Sequence, residues 1–262
     1  MMDKYTDEFP HGQPVNLTLI KTKAENPEFR CNFNLLSKID MEKIKVIVTG
    51  STGMVGEGVL HECLNHPMVE SILVINRKPC GIVHPKLKEI FHRDFADISA
   101  LAGQVTGYDA CFFCLGVSSV GMKEPEYTRV THTLTMGFAS TLASLNPGMT
   151  FCYVSGAGTD STEKGKMMWA RVKGKTENDL MKLPFRQVFN FRPGFMIATP
   201  GLKNVNPLYR YAAWLIPILR PLMPNTISTL KVVGLAMINS VFEGYPKQVL
   251  EVRDIKKLGG MD

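Results

Sequence analysis

A doubly wound parallel α/β sheet with a small helical C-terminal cap is the fold this sequence predicts. Three observations carry it. Short β-branched runs alternate with helical stretches from residue 44 to residue 191, and a glycine-rich turn joins the first run to the first helix. The composition, 45% hydrophobic and 21% charged over 262 residues, is that of an ordinary globular chain. That length buries about 70–75% of the unfolded surface, in one large domain or two modest ones.

Residues 45–49 form a β-branched run, as a strand covered on both faces requires. The turn from Thr49 to Gly56 leads into a helix through residues 59–64. Residues 71–75 and 87–91 are the second and third strands, and 110–115 the fourth, ended by Gly116. A helix covers about 126–144, and residues 150–154 form the fifth strand. A further helix runs from about 166 to 182 before the sixth strand, 186–191. Alternation at this spacing implies right-handed crossovers and a parallel sheet. Residues 41–195 are thus one sheet domain. Residues 196–262 turn helical and proline-rich, a cap packed on that domain. Residues 1–40 mix charge with turn formers, including Pro10, Pro14 and Pro27, and read as a poorly ordered extension.

Several function classes drop out. The N-terminus is acidic with no apolar run behind it, unlike a signal or transit peptide. Six cysteines without paired spacing suit a reducing, cytoplasmic setting. Cys111 and Cys114 have redox-motif spacing, yet on a strand they face opposite sides and read as buried thiols. His61, Cys63 and His66 lack the second pair of a metal site. The most apolar stretch, 211–219, falls well short of the ~20 residues a membrane span needs, so no transmembrane span is expected. The wider stretch 208–223 sets aromatic and aliphatic residues between arginines. It reads as the cap of a pocket or as a peripheral membrane or protein contact. The net charge of +6 is concentrated between Lys164 and Lys231, where Glu177 and Asp179 are the only acids. No zinc-finger spacing or aromatic-basic pattern accompanies that charge, so no nucleic acid partner is expected. A basic face near a bound phosphate is the plainer account.

The turn itself, Gly50-Ser51-Thr52-Gly53-Met54-Val55-Gly56, has G-x-x-G-x-x-G spacing. Gly50 allows the tight turn, Gly53 lets backbone approach a pyrophosphate, and Gly56 lets the helix pack on the strand. The helix N-terminus then offers unpaired N–H groups to phosphate. This strand–turn–helix context predicts a nicotinamide dinucleotide. At the end of the second strand stand Asn76, Arg77 and Lys78. An acid there would bind the ribose hydroxyls of NAD; two cations suit the 2′-phosphate of NADP, so NADP (NADPH) is favoured over NAD. Asp94, with Phe95 beside it, would meet the adenine amino group or cap a turn. Leu115 and Gly116 let backbone line the middle of the cofactor.

These residues resemble the short-chain dehydrogenase/reductase superfamily, in its atypical and extended, NAD-dependent epimerase/dehydratase-like branches. Within them the chain is similar to the Tat-interacting-protein oxidoreductase-like group. The resemblance rests on Thr49 to Gly56, Asn76-Arg77, Val154-Ser155, Val172 to Glu177 and Phe191 to Gly194. Ala236-Met237-Ile238 and Leu250 to Ile255 add to it, over roughly residues 41–258. It implies a Rossmann-like fold and a Tyr-x-x-x-Lys pair working with a serine near the end of strand five. The lysine would bind the nicotinamide ribose and lower the tyrosine pKa, and the serine would orient the substrate carbonyl.

Lys173 is in place, but the position four before it is Trp169, whose indole N–H donates a hydrogen bond and gives up no proton. The usual serine corresponds to Ser155 or to Gly156, with Thr159 as a substitute; the facing of Tyr153 is open. Pro193, Gly194 and Phe195 resemble the loop that closes over the nicotinamide. Two readings follow. One is an NADP-dependent oxidoreductase or epimerase-type enzyme on a small carbonyl or hydroxyl substrate. There Lys173 fixes the ribose, and Ser155 or an unidentified group handles the proton. The other, which Trp169 favours, is a non-catalytic NADPH-binding redox sensor or regulator.

Overall fold

The structure is a computed structural model that describes residues 42–205 and 225–261. The extension 1–40 and the stretch 208–223 lie outside the described residues. The chain runs β1 (Ile44–Thr49), α1 (Met54–Asn65), β2 (Val69–Asn76), β3 (Leu87–Phe91), α2 (Ala102–Val105) and β4 (Ala110–Phe113). There follow α3 (Glu124–Thr128), α4 (Leu134–Leu145), β5 (Thr150–Val154), α5 (Met168–Leu180) and β6 (Gln187–Arg192). The last elements are β7 (Phe195–Ile197), β8 (Ile227–Thr229), α6 (Leu230–Glu243), β9 (Val249–Glu251) and α7 (Val252–Leu258). The single helix expected over about 126–144 is instead α3 and α4 joined by a π-helical turn, Arg129–Thr133.

Seven strands form one parallel sheet, ordered β3-β2-β1-β4-β5-β6-β9. Alternate side chains along each strand enter different cores, as the two-residue period of a strand demands. Val46 and Val48 of β1, with Ala110 and Phe112 of β4, pack on the face covered by α1 and α6. Ile47, Cys111 and Phe113 pack on the other face, with Phe138 and Leu142 of α4 and Leu180 of α5. Both faces of the central strands are thus dry, which explains why β1 and β4 read as apolar runs, while the edge strand β3 keeps Lys88 and Phe91 exposed.

The C-terminal part does more than cap. Its three-residue β9 pairs with β6 and extends the sheet, and α6 lies against α1 over the first core. Gly58 of α1 makes room for this, since a Cβ there would lie 2.8 Å from that of Leu230. A strand as short as Val249–Glu251 has no period to read in sequence. The same holds for β7 and β8, which pair with each other in a separate parallel ribbon.

The strand order reverses at β1, whose two neighbours are β2 and β4. In open sheets of this kind the crevice beyond the carboxyl ends of those strands is where ligands bind.

Candidate functional site

At the end of β1 the backbone turns through Gly50 at φ +71°, a left-handed conformation that favours glycine. A Cβ on Gly50 would lie 2.7 Å from the Cys114 backbone, and one on Gly56 2.2 Å from the Gly50 carbonyl oxygen. Packing inside the protein fixes both. Gly53 is different. The nearest atom to a Cβ there is the Gly50 carbonyl oxygen at 3.4 Å, an ordinary contact, and the residue lines a cavity. Gly53 is also the N-cap of α1 and brings no side-chain cap, so the first-turn N–H groups face the crevice without one.

That cavity, about 950 Å³, runs from Gly53, Met54 and Val55 past Gly116 and Val117 to Trp169 and Lys173, and is closed by Pro193, Gly194 and Phe195. Trp169 and Lys173, four apart on α5, both line it, as one helix face requires. Pro193 is held by its carbonyl, which accepts the Ala157 N–H (3.0 Å). Phe195 N–H donates to the Thr226 carbonyl (2.8 Å), which starts the β7–β8 pairing. Asn204 reaches the cavity because Glu57, buried in the first turn of α1, accepts the N–H groups of Lys203 (2.8 Å) and Asn204 (2.7 Å).

Lys173 donates its ammonium to the Ser155 carbonyl oxygen. Burial pushes its pKa down to about 8, against the opposing pull of the Glu177 carboxylate. The Ser155 hydroxyl, expected to orient a substrate, is instead engaged in the interior. It donates to Glu177 Oε1 at 2.5 Å, with the Phe191 carbonyl at 3.2 Å as a further acceptor. Glu177 is fully buried and pairs with Arg192, whose Nε donates to Oε1 at 3.0 Å. Arg192 also reaches Ser161 Oγ (2.5 Å) and Glu251 (3.1 Å). This network under the cavity floor was not read from the sequence. The signal was present, since Trp169, Lys173 and Glu177 repeat at four-residue spacing on α5.

The other candidates are placed as follows. Tyr153 is buried in the second core, where desolvation raises its pKa steeply. Thr159 Oγ1 is engaged with the Gly156 carbonyl (2.7 Å), and Gly156 lies at φ +133° in the cavity wall. Ser51 and Asn76 are buried and bonded to each other (Asn76 Nδ2 to Ser51 Oγ, 2.8 Å). Asn76 also donates to Glu89 on β3 (2.7 Å), and Glu89 holds the Cys80 N–H (2.9 Å). Glu89 thereby pins the loop that carries Arg77 and Lys78. Both cations are exposed, and no ion pair engages either among the described residues. Thr52 is exposed on the turn. Asp94 accepts the Ala96 N–H (3.0 Å) in a turn, and Phe95 is buried against Phe138 with ring centroids 5.9 Å apart. Leu115 packs on the second core, and its neighbour Gly116 lines the cavity.

Residues 46–160 match the family model described as NAD dependent epimerase/dehydratase family, over the stretch that holds the glycine turn, β1 to β5 and the switch point. In Aspergillus oryzae a relative named protein fmp52-1, mitochondrial, is 26% identical to this chain over 153 residues. That match spans 56% of this chain and 63% of the relative, so the shared stretch is under two thirds of the relative's length. Among solved structures, the Bordetella bronchiseptica enzyme WbmF in complex with NAD+ superposes with TM-score 0.57 at 14% identity, covering 84% of this chain and 80% of that one. Uronate dehydrogenase from Agrobacterium tumefaciens gives TM-score 0.56 at 19% identity over 80% and 76%. At such identities the structures support the epimerase/dehydratase-type fold, and this chain's chemistry must be argued from its own residues. No helix is long and apolar enough to cross a membrane among the described residues.

Proposed function

We propose that this protein is an NADP(H)-dependent oxidoreductase that reduces a carbonyl group in the cavity between the glycine turn and α5. The observation that carries the reading is Gly53. No protein atom crowds its missing side chain, so the cavity it lines is what leaves a place for the diphosphate of a nicotinamide dinucleotide. The family model that residues 46–160 match and the NAD+ in the WbmF complex agree with it. Met54, Val55 and Gly56 N–H groups would hold the diphosphate, Gly116 the middle of the cofactor, and Lys173 with Pro193–Phe195 its nicotinamide half. The exposed Arg77 and Lys78 favour NADPH over NADH. Asn76, Ser51 and Glu89 act behind them by fixing the loop, and Asp94 and Phe95 by fixing the neighbouring turn.

Bound there, the dihydronicotinamide supplies a hydride. The accompanying proton needs a donor, and Trp169 has none to give. Ser155 is engaged by Glu177, and burial raises the pKa of the Cys114 thiol, leaving Lys173 as the cavity's titratable donor near neutrality. Ser155 is a positioning residue whose carbonyl aims the Lys173 ammonium.

The alternative, a sensor that holds NADPH without turnover, is favoured by Trp169 and is overturned by any Lys173-dependent reduction. Cofactor choice is tested by calorimetric titration. Arg77→Ala is expected to weaken NADPH binding roughly 10- to 100-fold, the worth of a lost charge-assisted contact, and NADH by about twofold at most. Equal losses for both dinucleotides would refute the 2′-phosphate assignment.

A further inference from the structure

The substrate side of the cavity has an unusual balance of groups. Of the described side chains that line it, Lys173 alone carries a charge, and its ammonium is turned to the Ser155 carbonyl. The Ser155 hydroxyl is engaged by Glu177. The other described lining side chains include the apolar Val117, Val154, Ala157, Trp169, Met196 and Ile227, with Ser118, Asn204 and Thr226 as the uncharged polar ones. The apolar character continues outward. Val117 is 41% exposed, Val120 on the same loop 88%, and Met167, the N-cap of α5 two residues before Trp169, 58%.

A sugar acid or sugar nucleotide entering such a site would surrender the hydration of its carboxylate or phosphates to walls whose one cation among the described residues is Lys173, already turned to the Ser155 carbonyl. Each unreplaced hydrogen bond counts against it, and an unpaired anion far more. An uncharged apolar molecule loses nothing comparable and gains from burial. Its carbonyl oxygen would be met by the Lys173 ammonium.

From these groups we infer that the cavity takes an uncharged, apolar carbonyl compound, an aromatic or aliphatic aldehyde or ketone, and excludes carboxylate- and phosphate-bearing sugars. The inference rests on the cavity being the nicotinamide and substrate site, so the test reads the two separately. The full-length chain is first titrated with NADP+, and saturation establishes the cofactor site. The NADP+-loaded protein, which cannot reduce a carbonyl, is then titrated with 4-nitrobenzaldehyde, D-glucuronate or UDP-glucuronate, followed by saturation-transfer NMR of the ligand. The aldehyde is expected to bind and to be lost on Val117→Asp, with neither sugar binding. Val117→Asp puts a carboxylate on a half-open wall, and its fold is checked by its unchanged thermal midpoint. Binding of either sugar at lower concentration than the aldehyde would overturn the substrate class with the cofactor site intact. So would an aldehyde signal that Val117→Asp leaves unchanged, or no aldehyde signal at all. Failure to saturate with NADP+ would instead overturn the underlying function.

Discussion

Replacing Lys173 by methionine is expected to lower NADPH-dependent reduction of an aromatic aldehyde by roughly 10²–10⁴-fold, the usual worth of a positioned proton donor. The wild-type rate should be level at neutral pH and fall as pH rises through about 8, because only the ammonium form can deliver the proton. Lys173→Arg separates the two roles of the residue. Arginine keeps its charge at every accessible pH but does not release a proton, so it should retain NADPH binding, lose turnover and show no fall near 8. An arginine variant with near wild-type turnover would reduce Lys173 to a cofactor contact. The fold should tolerate both changes. The pKa of Lys173 is lowered in the folded state, so its burial penalty is present in full below about 8 and is relieved as pH rises toward the ordinary lysine value. Against Lys173→Met, the wild-type thermal midpoint should therefore improve between pH 7 and pH 10.

The second large effect is on stability. Glu177→Gln leaves Arg192 in the interior with the half-exposed Glu251, at 3.1 Å, as its one counter-charge among the described residues. Breaking a buried pair from one side costs about 3–5 kcal/mol, and Glu251 places this case near the lower figure. For a chain of this size that is a drop in thermal midpoint of roughly 6–12 °C. Arg192→Met strands the carboxylate instead and should cost about as much. The double variant should be milder than the sum of the two, because neither charge is then left alone. A midpoint within about 2 °C of wild type for Glu177→Gln would show that the pair is solvated and the interior network absent.

The sheet was legible because its central strands are covered on both faces, so 45–49, 71–75 and 150–154 stand out as apolar runs between glycines and helices, while the edge strand 87–91 keeps Lys88 and Phe91 exposed. The β7–β8 ribbon and β9 were not, because three residues show no period and their pairing is set by contacts distant in sequence. In the site, Lys173 and Trp169 came from the resemblance to a family with a Tyr-x-x-x-Lys pair, helical spacing putting both on one face, and the glycine turn from its place between a strand and a helix. Ser155 shows where such reading stops. Its place at the end of β5 is visible, but that its hydroxyl is engaged by Glu177, one helix away in sequence, is a fact of tertiary packing. Asn76 is similar. It precedes Arg77 and Lys78, the proposed contacts of the 2′-phosphate, yet its amide is engaged by Ser51 and Glu89, so it holds the loop that carries them.

Calorimetric titration of the wild-type chain and of Gly53→Val with NADPH tests the central claim most directly. A Cβ there makes only an ordinary contact, 3.4 Å from the Gly50 carbonyl oxygen, so the variant should unfold at the wild-type temperature. The wild type should bind one equivalent of NADPH and Gly53→Val essentially none. Equal binding by the two proteins would contradict the account, and so would the absence of binding by the wild type.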